Sequence, residues 1–346
     1  MARFVFAFVL IGWGCVNQRP RHHEMQWVAF PDARLEVRGL PWFVENAPDL
    51  WRLPKSDKAI VPVGVWNRAV APDGGRICFS SDTSDLAVRV DAGGKGSGYF
   101  DAFVDGEQVG SGKPDATGTV RLFRNLKRAR RSITIYLPHK SQARLLAVGI
   151  DAGATLKPPT KFTKALPIVC YGSSVLQGSG AAHPSQTYPA ALARKLNADF
   201  VNLGFGGAGK AESQVVALVN HLNASCYLFD LGKSYGNQGI EPFANMLKVI
   251  RASHPTTPMV VVTPIFSTKE ISEPAYKTKS ETLRGWMRQA ANDLRASGDR
   301  NVYVVEGLDL FGESDKALFH DPQHPNDQGC ELMAKRLLPT VKEVLR

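Results

Sequence analysis

The chain changes rhythm near its middle. Between residues 30 and 150 apolar and polar side chains alternate in short runs: Leu86, Val88 and Val90 are separated by Ala87 and Arg89, and Ile133, Ile135 and Leu137 by Thr134 and Tyr136. A period of two marks a strand with one buried face. Turn-forming stretches divide the runs, among them APDGG at 71–75, AGGKGSG at 92–98 and VDG at 104–106. Short strands at regular spacing predict an all-β sandwich, jelly-roll-like, over residues 25–155.

From residue 166 apolar strands alternate with helical segments. The strand candidates are Leu166–Tyr171, Phe200–Gly204, Cys226–Leu231, Met259–Thr263 and Val302–Glu306. Helices are expected to start near Thr187, Gly209, Glu241, Tyr276 and Asn326. That alternation predicts a parallel sheet covered by helices on both faces, an α/β unit over residues 165–346. The segment GATLKPPTKFTK, 153–164, reads as the linker.

In an open α/β sheet ligands bind beyond the carboxyl ends of the strands, so the chemistry is sought there. The first strand is followed by YGSSVLQGSG, a serine-rich elbow. The second is followed by GFGGAGK, the third by GKSYGN, and the fifth, after a long loop, by HDPQHPNDQG. One edge therefore offers a serine, a histidine and an aspartate. Acyl transfer needs an activated hydroxyl, a base for its proton and a group that fixes the base's tautomer. Asp321 and His324 are three apart, so a turn can place the carboxylate on Nδ1 and leave Nε2 for a serine. Backbone amides after the first two strands are candidates to hold an oxyanion. A lone serine in a glycine-rich loop is ordinarily a turn residue; the joint occurrence at strand ends carries the reading.

Other histidines are placed less favourably. His139 belongs to the β-rich half, while His221 and His254 precede strands and belong to the opposite edge. His183 and His320 are loop residues that could approach the cleft. Three motifs compete. Gly204, Gly206 and Gly209 have dinucleotide-fingerprint spacing, with Asp230 as the ribose ligand. His320 and His324 have the spacing of a zinc helix motif, but Pro322 interrupts it. The stretch around Gly106–Lys113 mimics a phosphate loop with one residue too many.

Composition adds the setting. The net charge of +10 favours anionic partners. The run RNLKRARR at 124–131 is read as a solvated hairpin end, and no zinc spacing or aromatic RNA signature accompanies it, so no nucleic acid is expected. Five scattered cysteines without CxxC spacing argue against a disulfide framework, and Cys170 and Cys226 read as core residues. The N-terminal MARFVFAFVLIGWGC holds an apolar stretch too short to span a bilayer as a mature helix and fits a signal peptide over residues 1–20. Export follows as an expectation, with lipidation of Cys15 an open alternative to free secretion.

These blocks, in this order, resemble the SGNH (GDSL-type) hydrolases over residues 166 to about 345. Tyr171-Gly172-Ser173-Ser174-Val175 is similar to the family's first block and implies Ser174 as nucleophile, with Ser173 where many members carry aspartate. Asn202-Leu203-Gly204-Phe205-Gly206-Gly207 resembles the second and implies the Gly207 amide as an oxyanion donor beside that of Ser174. Asp321-Pro322-Gln323-His324 resembles the last and supplies acid and base. The third block departs: Asp230-Leu231-Gly232-Lys233-Ser234-Tyr235 puts Ser234 where the family usually has asparagine, and a hydroxyl reaches less far. Ala208 likewise stands where asparagine is common.

The resemblance implies a flavodoxin-like parallel sheet and chemistry that needs neither metal nor cofactor. The N-terminal half resembles the β-sandwich that precedes some members, with Gly98-Tyr99-Phe100-Asp101-Ala102-Phe103 as a loose version of their motif. The arrangement is similar to that of bacterial carbohydrate esterases and implies a small-molecule or polysaccharide acetyl ester as substrate. A catalytically impaired glycan-binding protein on the same fold is the alternative that Ser234 motivates.

Overall fold

The computed structural model describes residues 24–91, 98–162 and 165–346. The signal peptide expected over residues 1–20, with Cys15, lies outside the described residues, as do most of the turn at 92–98 and the last two residues of the linker.

Among the described residues ten strands lie in the N-terminal half: β1 (Met25–Ala29), β2 (Glu36–Arg38), β3 (Arg76–Ser81), β4 (Leu86–Val90), β5 (Phe100–Val104), β6 (Glu107–Gly112), β7 (Thr119–Phe123), β8 (Arg131–Tyr136), β9 (Leu145–Asp151) and β10 (Leu156–Lys157). One antiparallel sheet runs β1-β9-β4-β7; the other runs β10-β3-β8-β5-β6, with β2 on β3. The two sheets share one core, in which Val88, Val120 and Val148 of the first meet Ile77, Phe79, Phe100 and Ile135 of the second.

Two expectations change here. The alternation along β8 suggests a wet face, yet Tyr136 is buried. With Phe103 it joins a core belonging to the C-terminal half. The half is also not purely β. Helices α1 (Phe43–Asn46) and α2 (Val63–Ala69) fall between β2 and β3. Val65, Trp66 and Ala69 repeat at helical spacing and are buried with Leu53 and Val61 against the C-terminal half. Pro62, just ahead of α2, has the extended backbone and ready-made helix entry that favour a start there.

The C-terminal half holds β11 (Ile168–Gly172), β12 (Phe200–Gly204), β13 (Cys226–Asp230), β14 (Met259–Val262) and β15 (Val302–Val305). They form one parallel sheet in the order β12-β11-β13-β14-β15. That is the flavodoxin-like order, with its reversal between β11 and β13. Every residue of β11, β12, β13 and β14 is buried, as strands covered on both faces require. Alternate residues serve different cores. Val169, Tyr171, Tyr227, Phe229 and Val261 face α5 (Ser213–His221), α6 (Glu241–Ser253) and α8 (Pro274–Ala296). Ile168, Cys170, Leu228 and Val260 face α4 (Tyr188–Leu196) and α10 (Asp327–Val344). Cys170 and Cys226 are buried there as the apolar runs predict. The helix expected near Gly209 begins instead at Ser213, because residues 205–212 are spent on a turn. The Phe205 carbonyl accepts the amides of Ala208 and Gly209, and the Tyr171 hydroxyl accepts that of Ala211.

Candidate active site

The elbow after β11 distinguishes its serines. Gly172 lies so close to β13 that a Cβ there would come within 1.9 Å of the Asp230 carbonyl oxygen. Ser173 donates its amide to that oxygen at 2.7 Å, and its buried hydroxyl accepts the Val175 amide at 3.2 Å as the N-cap of α3 (Ser174–Gln177). Ser173 is thus a cap. Ser174, the first residue of α3, is half-buried and its hydroxyl stays free for chemistry. Gly178, at φ 92°, ends the helix after one turn.

His324 Nε2 lies 2.8 Å from Ser174 Oγ, and Nδ1 lies 2.7 Å from Asp321 Oδ2. The loop that carries them is fixed from within and from outside. Asp321 Oδ1 accepts the amides of Gln323 and His324 at 2.8 and 3.0 Å. The Pro322 carbonyl accepts the Ser267 hydroxyl at 2.7 Å, and the Tyr276 hydroxyl donates to Gln323 Oε1 at 2.8 Å. Burial alone would raise the Asp321 carboxyl. The hydrogen bonds from His324 and the Gln323 amide outweigh it and hold the group below its ordinary value, as an anion. A carboxylate on Nδ1 fixes the tautomer that leaves Nε2 able to accept a proton.

Ser174, Gly207, Ser234 and His324 line one cavity of about 630 Å³ at the carboxyl end of the sheet. As the first helical residue, Ser174 offers an amide that has no partner within its helix. Gly207 adopts φ 71° with open space where a side chain would project, so its amide can turn toward the cavity. In the structure that amide donates to Ser234 Oγ at 3.2 Å. The two residues expected as separate oxyanion donors therefore meet each other.

A buried chain of groups, linked by no spacing along the chain, supports this turn. Gln177 Oε1 accepts the Gly206 amide at 2.8 Å, while its Nε2 lies 3.3 Å from Asp73 Oδ1. Asp73 pairs with Arg52 at 3.2 Å, both fully buried. Arg52 donates to the Asn202 and Gly204 carbonyls at 3.0 and 2.6 Å and to those of Ala71 and Arg68 at 2.9 and 2.6 Å. The N-terminal half thereby grips the end of β12 from which the turn springs.

The remaining candidates fall elsewhere. His183 pairs through Nδ1 with Asp101 at 3.0 Å, and Ser111 Oγ lies 3.2 Å from that same nitrogen while donating to Asp101 at 2.6 Å. Activating a serine needs the carboxylate on one ring nitrogen and the hydroxyl on the other, so this second Ser-His-Asp group is a tie between β5, β6 and the loop before α4. His139 Nε2 lies 3.0 Å from the Ala181 carbonyl, and His254 Nε2 lies 2.8 Å from that of Asn220. His320 donates its amide to the His324 carbonyl at 2.8 Å and lines a neighbouring hollow.

The fingerprint glycines have packing reasons: a Cβ on Gly204 would meet the Gln177 amide at 2.4 Å, and one on Gly209 the Gly172 carbonyl at 2.3 Å. Asp230 is buried with its carboxylate on the Tyr188 hydroxyl at 2.9 Å, which takes it from the ribose role. Among the described residues no group of three or more His, Cys, Asp or Glu is arranged to hold a metal.

A doubly covered parallel sheet with a serine, a histidine and a carboxylate in register at its carboxyl edge defines a serine-type ester hydrolase. Residues 165–342 match the GDSL-like lipase/acylhydrolase family, and the chain belongs to that family. No curated protein matches it. Among solved structures, a GDSL-like lipase from Bacteroides ovatus superposes with TM-score 0.81 at 21% identity, over 93% of this chain and 98% of that one. The salicylyl-acyltransferase SsfX3 from a tetracycline biosynthetic pathway gives 0.79 at 27% identity, over 92% and 97%. A family two carbohydrate esterase from Clostridium thermocellum, in complex with cellohexaose, gives 0.61 at 18% identity, over 79% and 95%. The first and third are likenesses of fold.

Proposed function

We propose that the protein removes an acyl group, acetyl in the first instance, from a carbohydrate ester, with Ser174, His324 and Asp321 as its catalytic triad. The observation that carries this is the continuous hydrogen-bonded line from Ser174 Oγ through both nitrogens of His324 to Asp321. Ser174 Oγ attacks the ester carbonyl carbon while its proton passes to His324 Nε2. The carbonyl oxygen becomes an anion held by the amides of Ser174 and Gly207 and the hydroxyl of Ser234. The carbon–oxygen bond to the alcohol breaks, and that oxygen leaves with the proton from His324. Water then repeats the sequence on the acyl-enzyme and releases the acid. Asp321 stays ionised and steadies the imidazolium.

A hydroxyl accepts and donates at once. Ser234 can therefore accept the Gly207 N–H before a substrate arrives and still turn its own proton to the oxyanion, which the Gly207 N–H joins as the charge develops. The likeness to SsfX3 favours a second reading, in which an alcohol instead of water takes the acyl group from Ser174. The division into 25–155 and 165–346, the jelly-roll-like character of the first unit and export from the cell remain part of this reading. Export and the alternative of a lipid anchor at Cys15 are supported by the N-terminal pattern.

The test is hydrolysis of 4-nitrophenyl acetate by the parent and by Ser174→Ala. Turnover lost in the variant supports the mechanism; equal turnover overturns it. Adding alcohols to the assay and weighing acetic acid against new ester separates hydrolysis from transfer.

A further inference from the structure

Three cationic side chains line the Ser174 cavity: Arg68, Lys140 and Lys233. They come from separate parts of the chain, namely the end of α2, the loop between β8 and β9, and the turn after β13. Among the described residues that line it one carboxylate stands, that of Asp230, and it is buried with its oxygen on the Tyr188 hydroxyl. The wall is therefore positive.

Among the described residues none of the three has a carboxylate to itself within ion-pair distance. Arg68 sits where the buried Arg52 fixes its backbone, through the carbonyl at 2.6 Å, and its side chain is exposed. Among the described residues no carboxylate lies within ion-pair distance of Arg68 or Lys140. Lys140 Nζ is oriented by two carbonyls, Ser179 at 2.8 Å and Ala181 at 3.3 Å, which leaves one of its three protons unspent. Lys233 does meet a carboxylate, Glu270 at 2.8 Å, but Glu270 also accepts two bonds from Arg284 at 2.9 and 2.8 Å. Two cations share one anion, and that trio stays net positive.

A neutral ester would give none of these charges a partner, and gathering like charges about one cavity is unfavourable unless a counter-charge enters it. We propose that the cavity takes an ester that carries a second, anionic oxygen group, a carboxylate or a phosphate, which Arg68, Lys140 and Lys233 recognise. The inference rests on the reading of this cavity as the ester site. It also gives the N-terminal half a task in recognition, since it supplies Arg68 and Lys140.

The test is binding, read without turnover. Calorimetric titration of the full chain at low salt would compare methyl glucuronoside, glucose 6-phosphate and uncharged methyl glucoside. At least one anion is expected to bind about tenfold or more tightly than the neutral sugar, a difference that shrinks as salt screens it. Arg68→Gln and Lys140→Gln, both exposed substitutions, are each expected to reduce that preference severalfold. Whichever anion leads identifies the group as carboxylate or phosphate. Equal binding of all three sugars, no binding of either anion, or a preference untouched by both variants overturns the proposal. Failure of the acetate ester assay would instead overturn the catalytic reading and leave the titration to decide this one.

Discussion

The side-chain oxygen of Gln177 accepts the Gly206 amide at 2.8 Å, and the same side chain reaches Asp73 in the N-terminal half. Through this one amide group the antiparallel half is wired to the turn that presents Gly207. Gln177→Leu keeps the bulk but orphans a backbone N–H and loosens the turn. Leaving such a group unpaired costs about 1–3 kcal/mol, so urea denaturation is expected to show a loss of that size. Activity is expected to fall through kcat with KM nearly unchanged, because an oxyanion donor acts in the transition state. An unchanged kcat would show that the turn holds its shape alone.

Arg52 and Asp73 form a fully buried pair at the same seam. Breaking such a pair from one side strands a charge and costs about 3–5 kcal/mol, whereas removing both partners costs less. Arg52→Met is therefore expected to be more destabilising than the double variant Arg52→Met, Asp73→Leu. Equilibrium denaturation of the single and double variants checks the order.

Asp321 holds the tautomer of His324. Asp321→Asn is expected to lower kcat by roughly three to four orders of magnitude while leaving the fold intact, since an amide on Nδ1 favours the wrong tautomer. Pre-steady-state release of 4-nitrophenol measures it, and a loss below tenfold would remove Asp321 from the triad.

In the proposed mechanism Ser234 is the short donor to the oxyanion. Ser234→Ala is expected to cost about a hundredfold to a thousandfold in kcat, the range for one oxyanion donor. Ser234→Asn is expected to match or exceed the parent. A Ser234→Ala enzyme as fast as the parent would mean that the amides of Ser174 and Gly207 suffice.

Asp230 gives a pH signature. Burial raises its carboxyl from 3.8 to about 6 against the opposing hydrogen bond from Tyr188. The folded state thus holds this proton more tightly than the unfolded chain. Its contribution to stability is full below the unfolded value and is lost as pH rises through about 6. Asp230→Asn removes that loss. The stability difference between variant and parent is expected to move in the variant's favour by on the order of 2 kcal/mol between pH 4 and 7. Denaturation midpoints across that range measure it, and a constant difference would contradict the burial argument.

The strands of both halves were legible because alternation and unbroken apolar runs are local signals. Their ends were off by a residue or two, as at Ile168–Gly172 against the expected Leu166–Tyr171. The meeting of Ser174, His324 and Asp321 was legible for a related reason: Asp321 and His324 make their contact within a four-residue turn, and the serine elbow ends a strand whose position the pattern fixes. What the sequence did not disclose are contacts between segments far apart in the chain. Arg52, Asp73 and Gln177 show no spacing that links them, and α2 looked like part of a β-rich stretch until its apolar face found the C-terminal core. Tyr136, at the end of the polar face of β8, was likewise buried with Phe103 in the core of the C-terminal half. His183 was drawn from the cleft to Asp101, and Gly207 was paired with Ser234, by the same kind of meeting. Local pattern by itself determined the elements, their order along the chain and the segments that follow the strands. Tertiary structure alone decided which distant side chains share a cavity, because burial and charge depend on neighbours that no stretch of sequence contains.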